Sequence, residues 1–141
     1  MILALPARAK LNLALAVTGI RPDHTHEIDT LLQGIDLHDL LEAELATATS
    51  LEVEGDAPEG PDNLVLRALA ELERQVGRAL PTRFRLHKRV PAGAGLGGGS
   101  ADAATALRLA AAVHRLAEVD LAAVAAAVGA DVPFLLCGGA A

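Results

Sequence analysis

Tryptophan and tyrosine are missing from this 141-residue chain, and phenylalanine occurs only twice. A core without large rings must be built from aliphatic and small side chains, and these reach native density only where backbones approach closely. The same absence removes the stacking platforms that hold unpaired bases, and a net charge of −6 removes the cationic field that phosphate backbones attract. Nucleic acid is therefore not an expected partner. Cysteine occurs once, at Cys137, so no internal disulfide can form, and the residue is expected to be a small buried hydrophobe. His38, His87 and His114 are scattered along the chain and suggest no metal site. No run approaches the roughly 20 apolar residues that span a bilayer. The Ala-rich stretch from Ala101 to Val128 is broken by Arg108, His114, Arg115, Glu118 and Asp120. The opening MILALP is short for the apolar stretch of a secretion signal, and Pro6 interrupts it. A cytoplasmic protein without membrane contact is expected. Hydrophobic residues make up 52% of the chain, enough for one domain with one core.

The patterning divides the chain into a strand-rich front and a helix-rich back. Ile2–Leu5 and Lys10–Thr18 are short apolar or alternating runs that predict strands. Gly19 to Thr25 is a polar loop. In 27–37 the apolar positions Ile28, Leu31, Leu32 and Ile35 fit a helix better than strict alternation, although a strand remains open. Leu40–Ala46 and Ser50–Glu54 predict two strands around a Thr/Ser-rich turn. A Pro/Gly-rich acidic loop then leads to a helix over 63–76, with Asp62 as its N-cap and Gly77 as its stop. Arg83–Val90 predicts a strand, Ser100 to Leu116 a long helix, and Leu121–Val128 a shorter one. Strands first and helices later, without regular alternation and without an internal repeat, predict an α+β fold. The chain closes on VPFLLCGGAA, an apolar segment with no polar end, and this suggests the front part of a longer protein.

The densest chemical signal lies between the last predicted strand and the long helix: Pro91-Ala-Gly93-Ala-Gly95-Leu96-Gly97-Gly98-Gly99-Ser100. Glycines let successive backbone N–H groups point inward, and the start of a helix adds its own unpaired N–H groups and the positive end of its dipole. The combination predicts a cradle for a di- or triphosphate, with Ser100 either capping the helix or touching a phosphate or a Mg²⁺ ion. The phosphate loop pattern G-x-x-x-x-G-K-[ST] is not met, because no Lys precedes Ser100. The dinucleotide pattern G-x-G-x-x-G is met at Gly93, Gly95 and Gly98, but Glu118 follows a helix and no βαβ unit surrounds it.

The stretch 91–104 resembles the second motif of the GHMP small-molecule kinases. Two further segments strengthen the resemblance: Pro6-Ala-Arg-Ala-Lys10-Leu-Asn12-Leu near the start, and Gly129-Ala-Asp131-Val-Pro-Phe near the end. The order of the three is that of the branch whose acceptor is a cytidine-diphosphate-linked polyol. The resemblance implies an N-terminal domain of ribosomal-protein domain 2-like fold, a mixed sheet packed by helices, spanning 1–141 and followed in the family by a C-terminal domain. It implies ATP as phosphoryl donor, accompanied by Mg²⁺, for which the sequence assigns no protein ligand. It implies a Lys10–Asp131 pair at the acceptor hydroxyl, with Asp131 taking the proton and Lys10 holding Asp131 ionised and stabilising developing charge. Asn12 and His26 are implied to face the acceptor, and Asn63 and Lys88 to approach the adenosine. His24 and Thr25 stand where the family's cytidine-binding stretch carries Gly and Tyr, and Thr25 cannot stack on a pyrimidine. Asp102 is expected in the first turn of the long helix, favouring its dipole. Three alternatives stay open: a GHMP kinase with another acceptor, a nucleotide-binding module without catalysis, and a dinucleotide-binding domain.

Overall fold

A computed structural model of the chain describes residues 1–20, 26–91 and 96–137, with 12–20 and 26–33 described by their backbone only. The elements in chain order are β1 (Leu3–Ile20), β2 (His26–Leu45), β3 (Ser50–Glu54), α1 (Leu64–Val76), β4 (Thr82–His87), α2 (Gly98–Val113), α3 (Leu121–Val128) and α4 (Val132–Cys137). The sheet order is β1-β2-β4-β3, antiparallel except for the parallel pair β3–β4 that flanks α1. The expected α+β architecture with a mixed sheet is present. No helix among the described residues is long and apolar enough to cross a membrane.

The front of the chain is more continuous than its pattern suggests. The two runs expected as separate strands form the single strand β1, and 27–37 belongs to β2 rather than to a helix. Antiparallel pairing runs from Leu3↔Ala43 to Ile20↔His26, and a long ladder overrides the local helical spacing of Ile28, Leu31, Leu32 and Ile35. The ladder is not uniform. Arg8 pairs with His38 but Lys10 pairs with Gly34, so two steps along β1 match four along β2. Such an irregularity re-aims side chains. Ala7 and Ala9 are buried and Arg8 is exposed, yet Lys10, which strict alternation would turn outward, is also buried.

One face of the sheet builds the core and the other stays polar. In β4, Thr82, Phe84 and Leu86 are buried, while Arg83 and Arg85 point to solvent and pair with Glu44 and Glu52. Phe84, one of the two phenylalanines in the chain, lies in the core cluster with no exposed surface. Against this face lies α2, whose Ala101, Ala103, Ala104, Ala106 and Ala110 are all buried. A helix that is small-sided nearly all round can be packed from every direction. It touches β1, β2, α1, α3 and α4. The missing aromatics and the abundant alanine are thus two sides of one design, a central helix enclosed by close neighbours.

Helix ends follow local chemistry with small shifts. The N-cap of α1 is Asn63 rather than Asp62: its Oδ1 accepts from the Val65 N–H at 2.9 Å. Gly77 ends the helix in the left-handed region at φ 78°, as expected. At α2 the start moves forward. Gly97 is the N-cap and helix begins at Gly98, so Ser100 lies inside the first turn instead of capping it, and Asp102 falls just past that turn. Val132–Cys137 of the closing apolar segment form α4, and Cys137 at the helix end is exposed, not buried.

Candidate functional site

The site assembles around the N-terminus of α2. Gly97 holds φ 70°, and no side chain caps the first-turn N–H groups, whose residues Gly98, Gly99 and Ser100 line the adjoining cleft. A Cβ at Gly97 would lie 3.0 Å from Lys10 Cε, and one at Gly98 would lie 2.9 Å from Val90 Cγ1. Glycine is therefore required at Gly97 both for its backbone conformation and for the approach of Lys10. The cleft has a volume of about 360 Å³ and is bounded by Asn63, Lys88, Pro91, the segment from Leu96 to Ser100, and Asp102. That volume falls in the usual range for small-ligand sites, roughly 300–1,000 Å³. A cleft of about 470 Å³ between β1, β2 and α4, bordered by Arg8, Asp36 and Arg108, has no such convergence of glycine backbone.

Lys10 reaches the same place from β1. Its N–H donates to the Leu96 carbonyl at 2.8 Å, stitching the strand to the end of the glycine loop. Its side chain runs beside Gly97, and its Nζ stands 3.9 Å from Asp131 Oδ2. The side chain of Lys10 is 6% exposed and that of Asp131 44%. Asp131 precedes α4, where its carbonyl accepts from the Leu135 N–H at 3.2 Å. The cation is thus fixed and enclosed, and the carboxylate is close to it but open to solvent.

A second charged group lies deeper. Lys88 Nζ donates to Asp39 Oδ2 at 2.7 Å and to Asp102 Oδ2 at 3.0 Å. Asp39 Oδ1 accepts from the N–H groups of Arg89 at 2.6 Å and Val90 at 2.8 Å. This capture ends β4 at His87, three residues before the expected boundary at Val90. Burial acts to raise the pKa of Asp39, but hydrogen bonds with Asp102, Lys88, Val90 and Arg89 together hold it below the ordinary carboxylate value. For Lys88, burial acts downward, and the two carboxylates outweigh it and hold the ammonium above its ordinary value.

The residues singled out in the sequence divide into three groups. Pro91, Leu96, Gly97, Gly98, Gly99 and Ser100 border the cleft, and Lys10 and Asp131 meet beside it. Asn63 and Lys88 also border it, but both are committed elsewhere. Asn63 caps α1 and donates from Nδ2 to the Pro58 carbonyl at 2.8 Å, and Lys88 is held by its two carboxylates. Asn12 lies in β1 opposite Leu32 and His26 in β2 opposite Ile20, their side chains outside the description. Gly93, Gly95, His24 and Thr25 lie outside the described residues. Asp39 was missed. Its signal was its parity with Leu41 and Ala43, which places a carboxylate on the buried face of β2. Asp102 is not a dipole partner in the first turn, as the sequence suggested, but a buried side chain beneath the cleft.

Comparison with known proteins agrees with this architecture. Residues 63–139 match the family described as GHMP kinases N terminal domain. A 4-diphosphocytidyl-2-C-methyl-D-erythritol kinase of Pelotomaculum thermopropionicum is 45% identical over 149 residues, covering all of this chain and 51% of that protein. The enzyme of that name from Deinococcus radiodurans is 44% identical, over 96% of this chain and 46% of its own. The chain spans about half the length of the curated relatives it matches. A crystal structure of 4-(cytidine 5'-diphospho)-2C-methyl-D-erythritol kinase superposes with a TM-score of 0.85 at 43% identity, over 98% of this chain and 50% of that one. Homoserine kinase from Cytophaga hutchinsonii shares the fold, with a TM-score of 0.65 at 21% identity. With a glycine-bordered cleft at the N-terminus of a central helix, a lysine–aspartate pair beside it, and the family match across more than half its length, the chain belongs to the GHMP kinases.

Proposed function

We propose that this chain is the ATP-binding N-terminal domain, spanning 1–141, of a kinase that phosphorylates the 2-hydroxyl of 4-diphosphocytidyl-2-C-methyl-D-erythritol in the non-mevalonate route to isoprenoid precursors. The observation that carries the reading is the juxtaposition of Lys10 and Asp131 at 3.9 Å with the uncapped start of α2. Backbone N–H groups of Gly98, Gly99 and Ser100 would receive the phosphates, helped by the positive end of the helix. Asn63, Lys88 and Pro91 would shape the wall against the nucleoside. Asp131, exposed enough to meet an acceptor, would take the hydroxyl proton as the phosphoryl group is transferred. Lys10, enclosed and anchored through its own N–H, would hold Asp131 ionised and neutralise charge developing on the transferred group. Asn12 and His26, which follow Lys10 along the β1–β2 ladder, would contact the acceptor.

Among the described residues, no group of three or more His, Cys, Asp and Glu side chains could hold a metal ion. Mg²⁺ would enter the site with the nucleotide. The test is phosphoryl transfer from ATP to the cytidine-linked acceptor, using this chain joined to the second half that its relatives carry. Transfer to that acceptor, above transfer to homoserine or mevalonate, supports the reading. Transfer to one of those alcohols instead would move the protein elsewhere in the family.

A further inference from the structure

Three ionisable side chains are buried together under the floor of the cleft. Asp39 comes from β2, Lys88 from the exit of β4 and Asp102 from α2, and their side chains are 0%, 8% and 3% exposed. Fully ionised, one ammonium and two carboxylates leave an excess negative charge in the interior, an arrangement proteins generally avoid by neutralising a group. The hydrogen bonds show which group. An ionised carboxylate offers about four acceptor positions. Asp39 uses three of them, for the N–H groups of Arg89 and Val90 and for Lys88 Nζ. Asp102 uses one, for Lys88, and its buried Oδ1 has no hydrogen-bond partner. The two carboxyl groups lie within hydrogen-bonding reach of each other. A proton on Asp102, donated to the remaining position on Asp39, brings the cluster to zero charge.

We infer that Asp102 serves the nucleotide cleft as an uncharged carboxylic acid held by Asp39, so that the floor beneath a bound polyphosphate carries no net negative charge. This rests on the reading of the cleft as a nucleotide site and adds the charge state that the site requires. Asp102 and Lys88 both border the cleft, and Lys88 Nζ lies 3.3 Å from where a Cβ on Gly98 would stand, so the cluster adjoins the backbone assigned to the phosphates. The other charged groups around it are Lys10 and Asp131 beyond Gly97, and Asp56 and Asp62 on the cleft rim. Burial first, and then the neighbouring Asp39, push the pKa of Asp102 up to about 8. Above that pH the proton passes to solvent, the cluster becomes net negative, and polyphosphate binding weakens.

The test is a pH titration of the chain labelled with carbon-13 at aspartate carboxyls, followed by NMR, with Asp102→Asn and Asp39→Asn for assignment. One carboxyl is expected to stay protonated through neutral pH, to vanish in Asp102→Asn, and to titrate lower in Asp39→Asn. In parallel, binding of a non-hydrolysable Mg-ATP analogue to the wild type should weaken from pH 7 to pH 9 by about tenfold, the scale of one nearby charge at a near-surface dielectric. Asp102→Asn should bind more tightly than the wild type at pH 9, and its advantage should shrink as pH falls through 8. An Asp102 carboxyl titrating in the ordinary carboxylate range would overturn the inference, and so would wild-type affinity that does not vary with pH. A wild type that binds no analogue at any pH, with the carboxyl titrating as expected, would instead remove the nucleotide reading and with it the role assigned to Asp102.

Discussion

Two lysine–aspartate contacts lie on either side of the start of α2, and they are built differently. Lys88 and Asp39 meet at 2.7 Å with both side chains enclosed, and Asp39 also fastens two backbone N–H groups. Lys10 and Asp131 stand 3.9 Å apart, with Asp131 nearly half exposed. The first contact is saturated: its carboxylate accepts from Lys88 Nζ and from the N–H groups of Arg89 and Val90. The second is loose on its carboxylate side, which leaves Asp131 capacity to accept a proton from something else. Distance and exposure therefore separate a group that holds the cradle in shape from one available for chemistry, although both pairs consist of the same two residue types.

Five substitutions test this contrast. The largest effect is expected from Asp131→Asn, which removes the proposed base and keeps its shape. Turnover in the full-length kinase should fall by about 10²- to 10⁴-fold, the usual worth of general base catalysis. Affinity for nucleotide should move far less, and a comparable loss in both would place Asp131 in nucleotide binding. Asp39→Ala attacks the saturated pair. It leaves Lys88 buried beside a single carboxyl and orphans two N–H groups, so the chain should lose about 3–5 kcal/mol in denaturant unfolding. Asp131→Ala, read by the same unfolding curve, should cost under about 1 kcal/mol, because a half-exposed ion pair contributes little. Equal losses from the two alanines would erase the distinction.

Gly97→Ala is expected to come next. Its backbone sits at φ 70° and its new Cβ would meet Lys10 Cε at 3.0 Å. A cost of about 1–2 kcal/mol, with Lys10 displaced, follows from the strained conformation. A crystal structure of this variant with Lys10 unmoved would show that the close approach is not what requires glycine. The smallest effect belongs to the outer face of the sheet, where His87 bonds Glu42 at 2.8 Å and Glu54 at 2.7 Å. These hydrogen bonds, led by that with Glu42, raise the pKa of His87 above its ordinary 6.5. A pKa raised by folding gives stability that is fully present below the unfolded value and is lost as pH rises through the folded one. His87→Gln should therefore flatten the loss of stability seen above about pH 6.5, by under about 1 kcal/mol for so exposed a cluster. A stability profile identical in both proteins across that range would show that the two glutamates do not hold a charged His87.

Much of this was legible before any coordinates. Ser50–Glu54 and Leu121–Val128 have the bounds their patterns suggest, because each is a short run with clear stops. Leu96 to Ser100 of the glycine segment border a cleft at the start of α2, and Gly77 ended α1 as a glycine in the left-handed region should. The misreadings share a cause. The helical spacing in 27–37 lost to pairing with β1, an interaction between residues far apart in sequence. Ser100 looked like a cap because the preceding glycines were taken as loop, whereas Gly97 is the cap and the helix begins at Gly98. Asp39 and Asp102 were unremarkable as letters. Their meaning comes from Lys88, 49 and 14 residues away in sequence, which the fold brings between them. Period-two parity pointed Asp39 inward, but only tertiary structure supplied its partners.

The central claim is that the Gly97–Ser100 segment at the head of α2 is a nucleotide cradle. Calorimetric titration of the folded chain with a non-hydrolysable Mg-ATP analogue tests it most directly, once circular dichroism has confirmed the α+β fold. The account predicts saturable binding with one site, weakened in Gly97→Ala. A folded chain that takes up no nucleotide would contradict it.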